Sequence, residues 1–171
     1  MIRRSWVVGA GLAASLGSGC GGDENYALPT EYELTFPSTE VAIVTDSLHL
    51  YVVDATGRDR DACSQLFAAR NARTKFDRVL VETKLDVCGA FLQPAKLDVS
   101  FGSRAFFVAA SSVAEPEGDY LLGCTVALVG SDGAKPHVDL ALAPGVLDPK
   151  KLVASVNCRS LTDRCAGKCA Q

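Results

Sequence analysis

From Glu31 the chain alternates. Tyr32, Leu34 and Phe36 fall on one side, Glu31, Glu33 and Thr35 on the other, until Pro37 stops the run. A period of two predicts a half-buried strand. Leu48, Leu50 and Val52 alternate with His49, Tyr51 and Val53 in a second. Arg78 to Glu82, Leu85 to Cys88, Leu97 to Phe101 and Ala105 to Ala110 add short segments. Cys124, Val126 and Leu128 then alternate, as do Val138, Leu140 and Leu142. Turn residues separate them at Ala55-Thr56-Gly57, Gly102-Ser103, Glu115 to Asp119 and Gly130 to Gly133. The pattern predicts a mainly β fold, an antiparallel β-sandwich of about seven strands. One stretch departs from it. Over residues 60–71, Cys63, Leu66 and Phe67 share a face at i, i+3 and i+4, which predicts one short helix capped by Asp59 or Asp61. The expected core is Tyr32, Leu34, Leu50, Val52, Leu66, Phe67, Val99, Phe107, Val126, Leu128, Leu140 and Leu142. The tetrapeptide Lys-Leu-Asp-Val recurs at 84–87 and 96–99, too short a match to argue a repeat.

The N-terminus has another character. Arg3 and Arg4 precede an apolar run, Trp6 to Leu16, of about 11 residues, where a bilayer-spanning helix needs about 20. That is the layout of an export signal. The run Leu16-Gly17-Ser18-Gly19-Cys20 closes it and resembles the processing site of bacterial lipoproteins, a likeness covering residues 1–22. The resemblance implies that Cys20 becomes the first mature residue, its sulfur joined to diacylglycerol and its amine acylated. The partner it implies is a membrane of the cell envelope, at the outer membrane or cell surface. Gly17 and Gly19 would also suit ordinary signal cleavage. Parity favours lipidation, because the chain has seven cysteines and simple export would leave an odd thiol in an oxidising compartment. The organisation expected is a signal over 1–19, a polar tether over 20–30, a sandwich domain over 31–143 and a Cys-rich tail over 144–171.

Composition narrows the partners. The formal charge of the whole chain is −3. Loss of Arg3 and Arg4 with the signal makes the remainder more acidic still. Such a domain is a poor candidate for nucleic acid. Trp6 is the only tryptophan and leaves too, which weakens a carbohydrate-binding reading.

Cys63, Cys88, Cys124, Cys158, Cys165 and Cys169 remain, and in an exported chain they are expected to form three disulfides. Zinc is the rival, but no Cys-x-x-Cys pair occurs and His49 and His137 are the only histidines, so neither metal nor cofactor is expected. Asp61-Ala62-Cys63-Ser64-Gln65-Leu66, followed by Leu122-Gly123-Cys124-Thr125-Val126, resembles a pattern in uncharacterised lipoproteins of Gram-negative bacteria, loosely over residues 48 to 142. The resemblance implies a transthyretin-like or immunoglobulin-like sandwich with Cys63 paired to Cys124, and it carries no assigned activity. Cys88 lies outside that pattern. It is expected to pair with one tail cysteine, leaving the other two to pair together. Cys165 and Cys169 are spaced i, i+4. On a helix their Cβ atoms would lie about 5–6 Å apart, beyond disulfide reach, so each would look to Cys158 or Cys88.

No catalytic residues are assigned. The mature chain has no Gly-x-Ser-x-Gly. Residues 54–61 look superficially like a calcium loop but lack the ligand spacing, and read instead as a turn and helix cap. Arg70, Arg73, Lys75 and Arg78 form a basic stretch, read as a solvated face, with docking of an acidic partner as its functional rival. The function expected is a non-catalytic binding or structural domain displayed on the envelope, with a protein partner left open. The alternative is a hydrolase or metal-dependent enzyme, which requires some of His49, His137, Asp54 and Asp59 to converge in one cleft.

Overall fold

Residues 48–53 and 105–110 are apolar at nearly every position, and a strand without a polar side must be covered on both. The computed structural model, which describes residues 27–93, 96–130, 135–144 and 156–169, places these runs at the centre of one sheet. β3 (Thr45–Asp54) and β6 (Gly102–Ser112) are neighbours in a five-stranded antiparallel sheet. Its order is β4–β3–β6–β7–β9, with β4 (Val79–Asp86), β7 (Leu121–Val129) and β9 (Ala141–Leu142). Leu50 lies opposite Val108 and Tyr51 opposite Phe107. The pleat therefore sends Leu48, Leu50, Val52, Phe106 and Val108 to one face, and Tyr51, Val53, Ala105, Phe107 and Ala109 to the other.

The first face is covered by two small sheets. β1 (Ala27–Thr30) pairs antiparallel with β5 (Leu97–Ser100), and β2 (Glu33–Thr35) pairs parallel with β8 (His137–Asp139). Leu97, Val99, Val138, Leu140 and Tyr32 join the same apolar cluster. Gly123 on β7 makes the approach of β8 feasible, since a Cβ there would sit 2.6 Å from the Asp139 carbonyl. The second face is covered by α2 (Ala62–Asn71), which buries Ala62 and Leu66 and sets Phe67 edge-on to Phe107, ring centres 5.3 Å apart. Cys63–Cys124 ties the start of that helix to β7, with 5.7 Å between Cα atoms.

Among the described residues, three further helices stand where none is expected: α1 (Thr39–Val44), α3 (Val87–Leu92) and α4 (Leu161–Cys165). Each begins at a capping side chain that accepts from an otherwise unpaired backbone N–H. Ser38 takes that of Val41, Asp86 that of Gly89 and Ser160 that of Asp163. In α1 the cap and the complete burial of Val41, Ile43 and Val44 outweigh the strand preference of β-branched residues. α4 anchors the tail. Leu161 packs on Ala42 and Val87, Cys165 is bonded to Cys88, and Arg164 donates to the carbonyls of Ile43 and Thr45 at the end of α1. Cys158 is bonded to Cys169.

Several expectations need correction. The strand expected over Leu85 to Cys88 ends at Asp86, because that carboxylate caps α3; the run expected from Arg78 starts at Val79, and Val79 to Glu82 and Leu85 to Asp86 belong to one strand, β4. β1 begins at Ala27, so the end of the segment expected as a tether is paired in a sheet. The pairing of β2 with β8 is parallel, unlike the antiparallel arrangement expected throughout. Leu128 is 73 % and Leu142 42 % exposed, not core. Leu128 lies beyond the start of α2, four residues past the bridge at Cys124, and Leu142 belongs to a two-residue edge strand. Leu34, Phe67 and Val126 are only half-buried, whereas the other seven expected core residues are buried. Asp61 stands at the start of α2 but caps nothing with its side chain, and Asp59 accepts from Ser103 instead.

At one end of the sheet Arg104 is 6 % exposed, and every donor position is used. Its Nε reaches the Ser100 carbonyl at 3.0 Å, one terminal nitrogen reaches Asp54 at 2.7 Å and the Ser103 carbonyl at 2.9 Å, and the other the carbonyl of Phe101. Gly102, at φ +120°, turns the chain around the guanidinium, and a Cβ there would lie 3.1 Å from it. Asp54 also accepts from the Thr56 hydroxyl at 2.7 Å and amide at 3.1 Å. These bonds, then the charge of Arg104, hold its carboxyl below its ordinary 3.8. Arg104→Ala should cost about 3–5 kcal/mol, since it takes a partner from a carboxylate and from three carbonyls. A depressed carboxyl stabilises the fold above its ordinary pKa and ceases to do so as pH falls through the lower folded value. Thermal melts of Asp54→Asn should therefore show a deficit at neutral pH that narrows below about pH 4; an unchanged deficit would contradict this role.

Candidate functional site

His49 and Tyr51 are two apart on β3, so both side chains leave the sheet on the face covered by α2, near its β4 edge. Register places Glu82 of β4 directly opposite Tyr51. The three side chains form a chain of hydrogen bonds. The Tyr51 hydroxyl lies 2.9 Å from His49 Nδ1, and His49 Nε2 lies 2.9 Å from Glu82 Oε1. A carboxylate at Nε2 fixes the proton there, which leaves Nδ1 as the acceptor for the phenol. The last turn of α2 brings Arg70 alongside. It holds Asp119 through two bonds, Nε to Oδ2 at 2.8 Å and a terminal nitrogen to Oδ1 at 2.6 Å. This forked pair raises the guanidinium pKa further, chiefly through the bond to Asp119.

α2 stops at Asn71, before it covers β4, and the result is a cleft of about 830 Å3. Tyr51 and Phe76 form its apolar part, with rings edge-on at 4.8 Å. Arg70, Arg73, Lys75, Glu82, Glu117 and Asp119 supply its charge. Burial first, and then the charge of Glu82, push the Tyr51 phenol above its ordinary 10.0, while Arg70 opposes them.

His49, His137, Asp54 and Asp59 do not converge in one cleft. His49 belongs to this cleft. His137 sits on β8 with Thr35 at 3.0 Å, Asp139 at 3.1 Å and Glu33 at 3.7 Å. Asp54 is engaged with Thr56 and Arg104, and Asp59 with Ser103. Among the described residues no three His, Cys, Asp or Glu side chains gather as a metal site. Cys20 lies outside the described residues. The sequence presents His49 as a lone strand histidine and does not reveal Tyr51, Glu82 and Asp119 as its neighbours. The two-residue spacing of His49 and Tyr51 is the one signal it carries. The basic stretch is also divided: Arg70, Arg73 and Lys75 line the cleft, Arg70 held there by Asp119, whereas Arg78 is not among its lining residues. A scan against protein-family models finds no match, and searches of curated proteins and solved structures find none either.

A tyrosine whose folded pKa is raised contributes stability that is complete below its ordinary pKa and is lost as pH rises through the folded value. Tyr51→Phe should therefore lessen the fall in melting temperature between neutral pH and pH above about 10. Parallel melting curves for parent and variant across that range would refute the environment described for Tyr51.

Proposed function

We propose that the protein is a lipoprotein of the bacterial envelope, anchored through lipid on Cys20 at the outer membrane or cell surface, whose β-rich domain is a non-catalytic binding module. One observation carries the reading. Six of the seven cysteines are consumed in three disulfides, so Cys20 is the one thiol left over. Disulfides on this scale belong to an oxidising compartment, and a solitary cysteine at the end of an export signal is what lipid transfer requires. The small sheets β1–β5 and β2–β8, sharing a core with the five-stranded sheet, support classing the domain as a sandwich. The cleft beside Tyr51 supplies the binding surface. A hydrolase or metal enzyme would draw on His49, His137, Asp54 and Asp59 together, and each has partners of its own elsewhere.

Mass spectrometry of the mature N-terminus should find Cys20 first, carrying diacylglycerol and an acylated amine. Cys20→Ser should move the protein from the detergent phase to the aqueous phase. An unmodified Cys20, or a serine variant that still partitions with membranes, would overturn the reading.

A further inference from the structure

The cleft beside Tyr51, at about 830 Å3, exceeds the hollow beside Tyr32, at about 330 Å3, and the one beneath α2, at about 150 Å3. Its charges divide cleanly into spent and unspent. Arg70 and Asp119 satisfy each other, and Glu82 is taken by His49. The charged groups of Arg73, Lys75 and Glu117 meet no partner among the described residues.

Basic residues after a helix commonly serve its final carbonyls. Here that work is done otherwise. The backbone N–H groups of Ala72, Arg73 and Thr74 already serve the carbonyls of Ala68, Arg70 and Ala69, at 3.0, 3.0 and 2.9 Å. Arg73 also holds φ at +54°, a left-handed conformation that disfavours any residue but glycine. The loop thus keeps two cations at one cleft without using either, and Glu117 supplies one anion from the facing β6–β7 loop. Two unspent positive charges and one negative charge are complementary to a ligand with the reverse set. A phosphate monoester carries about −1.5 to −2 at neutral pH, more than one carboxylate offers, and an ammonium supplies the single positive charge.

We propose that the cleft binds a small phosphate monoester bearing an amine, with its phosphoryl oxygens on Arg73 and Lys75 and its ammonium on Glu117. The proposal rests on the reading of this domain as a binding module. Titration and lipidation of Cys20 can fail independently of each other.

The test is calorimetric titration of O-phosphoethanolamine into the disulfide-intact full chain in detergent, with inorganic phosphate as comparison. The expected result is saturable binding of O-phosphoethanolamine, tighter than that of phosphate. Arg73→Gly combined with Lys75→Ala should weaken it by about tenfold or more. Glycine suits the left-handed backbone at 73, so an undiminished melting temperature will show that this variant is folded. Glu117→Gln should weaken O-phosphoethanolamine and leave inorganic phosphate unaffected. No saturable binding in the millimolar range overturns the proposal. So does binding indifferent to the double variant, or equal affinity for phosphate with and without the amine.

Discussion

Two central strands that are apolar on both sides are the constraint that dictates the remaining architecture. β3 and β6 bury side chains in both directions, and either face left open would place Phe106 or Phe107 in water. Both need a covering layer, yet the layers are small: one ten-residue helix on one side, and strands of three to four residues with short helices on the other. Short elements gain little from their own hydrogen bonding. Covalent ties make up the difference. Cys63–Cys124 holds the helical layer to β7 across a separation of 61 residues, and Cys88–Cys165 holds the tail to α3 across 77. In the chain-entropy view a closure of either length is worth about 4 kcal/mol.

The same economy creates the cleft. α2 is long enough to cover Phe107 and too short to cover β4, so the covered face gives way to polar groups where the helix stops. Tyr51 sits at that border. Its ring packs with Phe76 and Phe107, and its hydroxyl meets His49. The buried Arg104 closes the other end of β3 by a different device, gathering the carbonyls of a tight turn around one guanidinium.

Periodicity makes the long central strands and α2 legible, because burial on a regular spacing is written along the chain itself. Three disulfides are legible from the even cysteine number left once Cys20 is set aside. The short helices are not, although Ser38, Asp86 and Ser160 are ordinary caps, since each precedes too few residues to show a period. Lys-Leu-Asp-Val makes the point within one chain. At 84–87 its aspartate caps α3, with the Gly89 amide in reach of the carboxylate at 2.8 Å, and at 96–99 the same residues run into β5. The residues after the tetrapeptide, not the tetrapeptide itself, select between helix and strand. The exposure of Leu128 is hidden for a related reason, because alternation reports which side a residue faces and not how far the covering helix extends. Glu82 and Asp119 are illegible as site residues, for they join Tyr51 and Arg70 only through sheet register and the β6–β7 connection.

Amide hydrogen exchange followed by mass spectrometry reads how layers of unequal strength seal the two central strands. With disulfides intact, peptides covering 48–53 and 105–110 should exchange slowest in the molecule, and those covering β9 and the exposed end of β7 markedly faster. Reduction of the disulfides should raise exchange first in α2 and in 156–169, ahead of the two central strands. Central strands that exchange as fast as β9 before reduction would contradict the account.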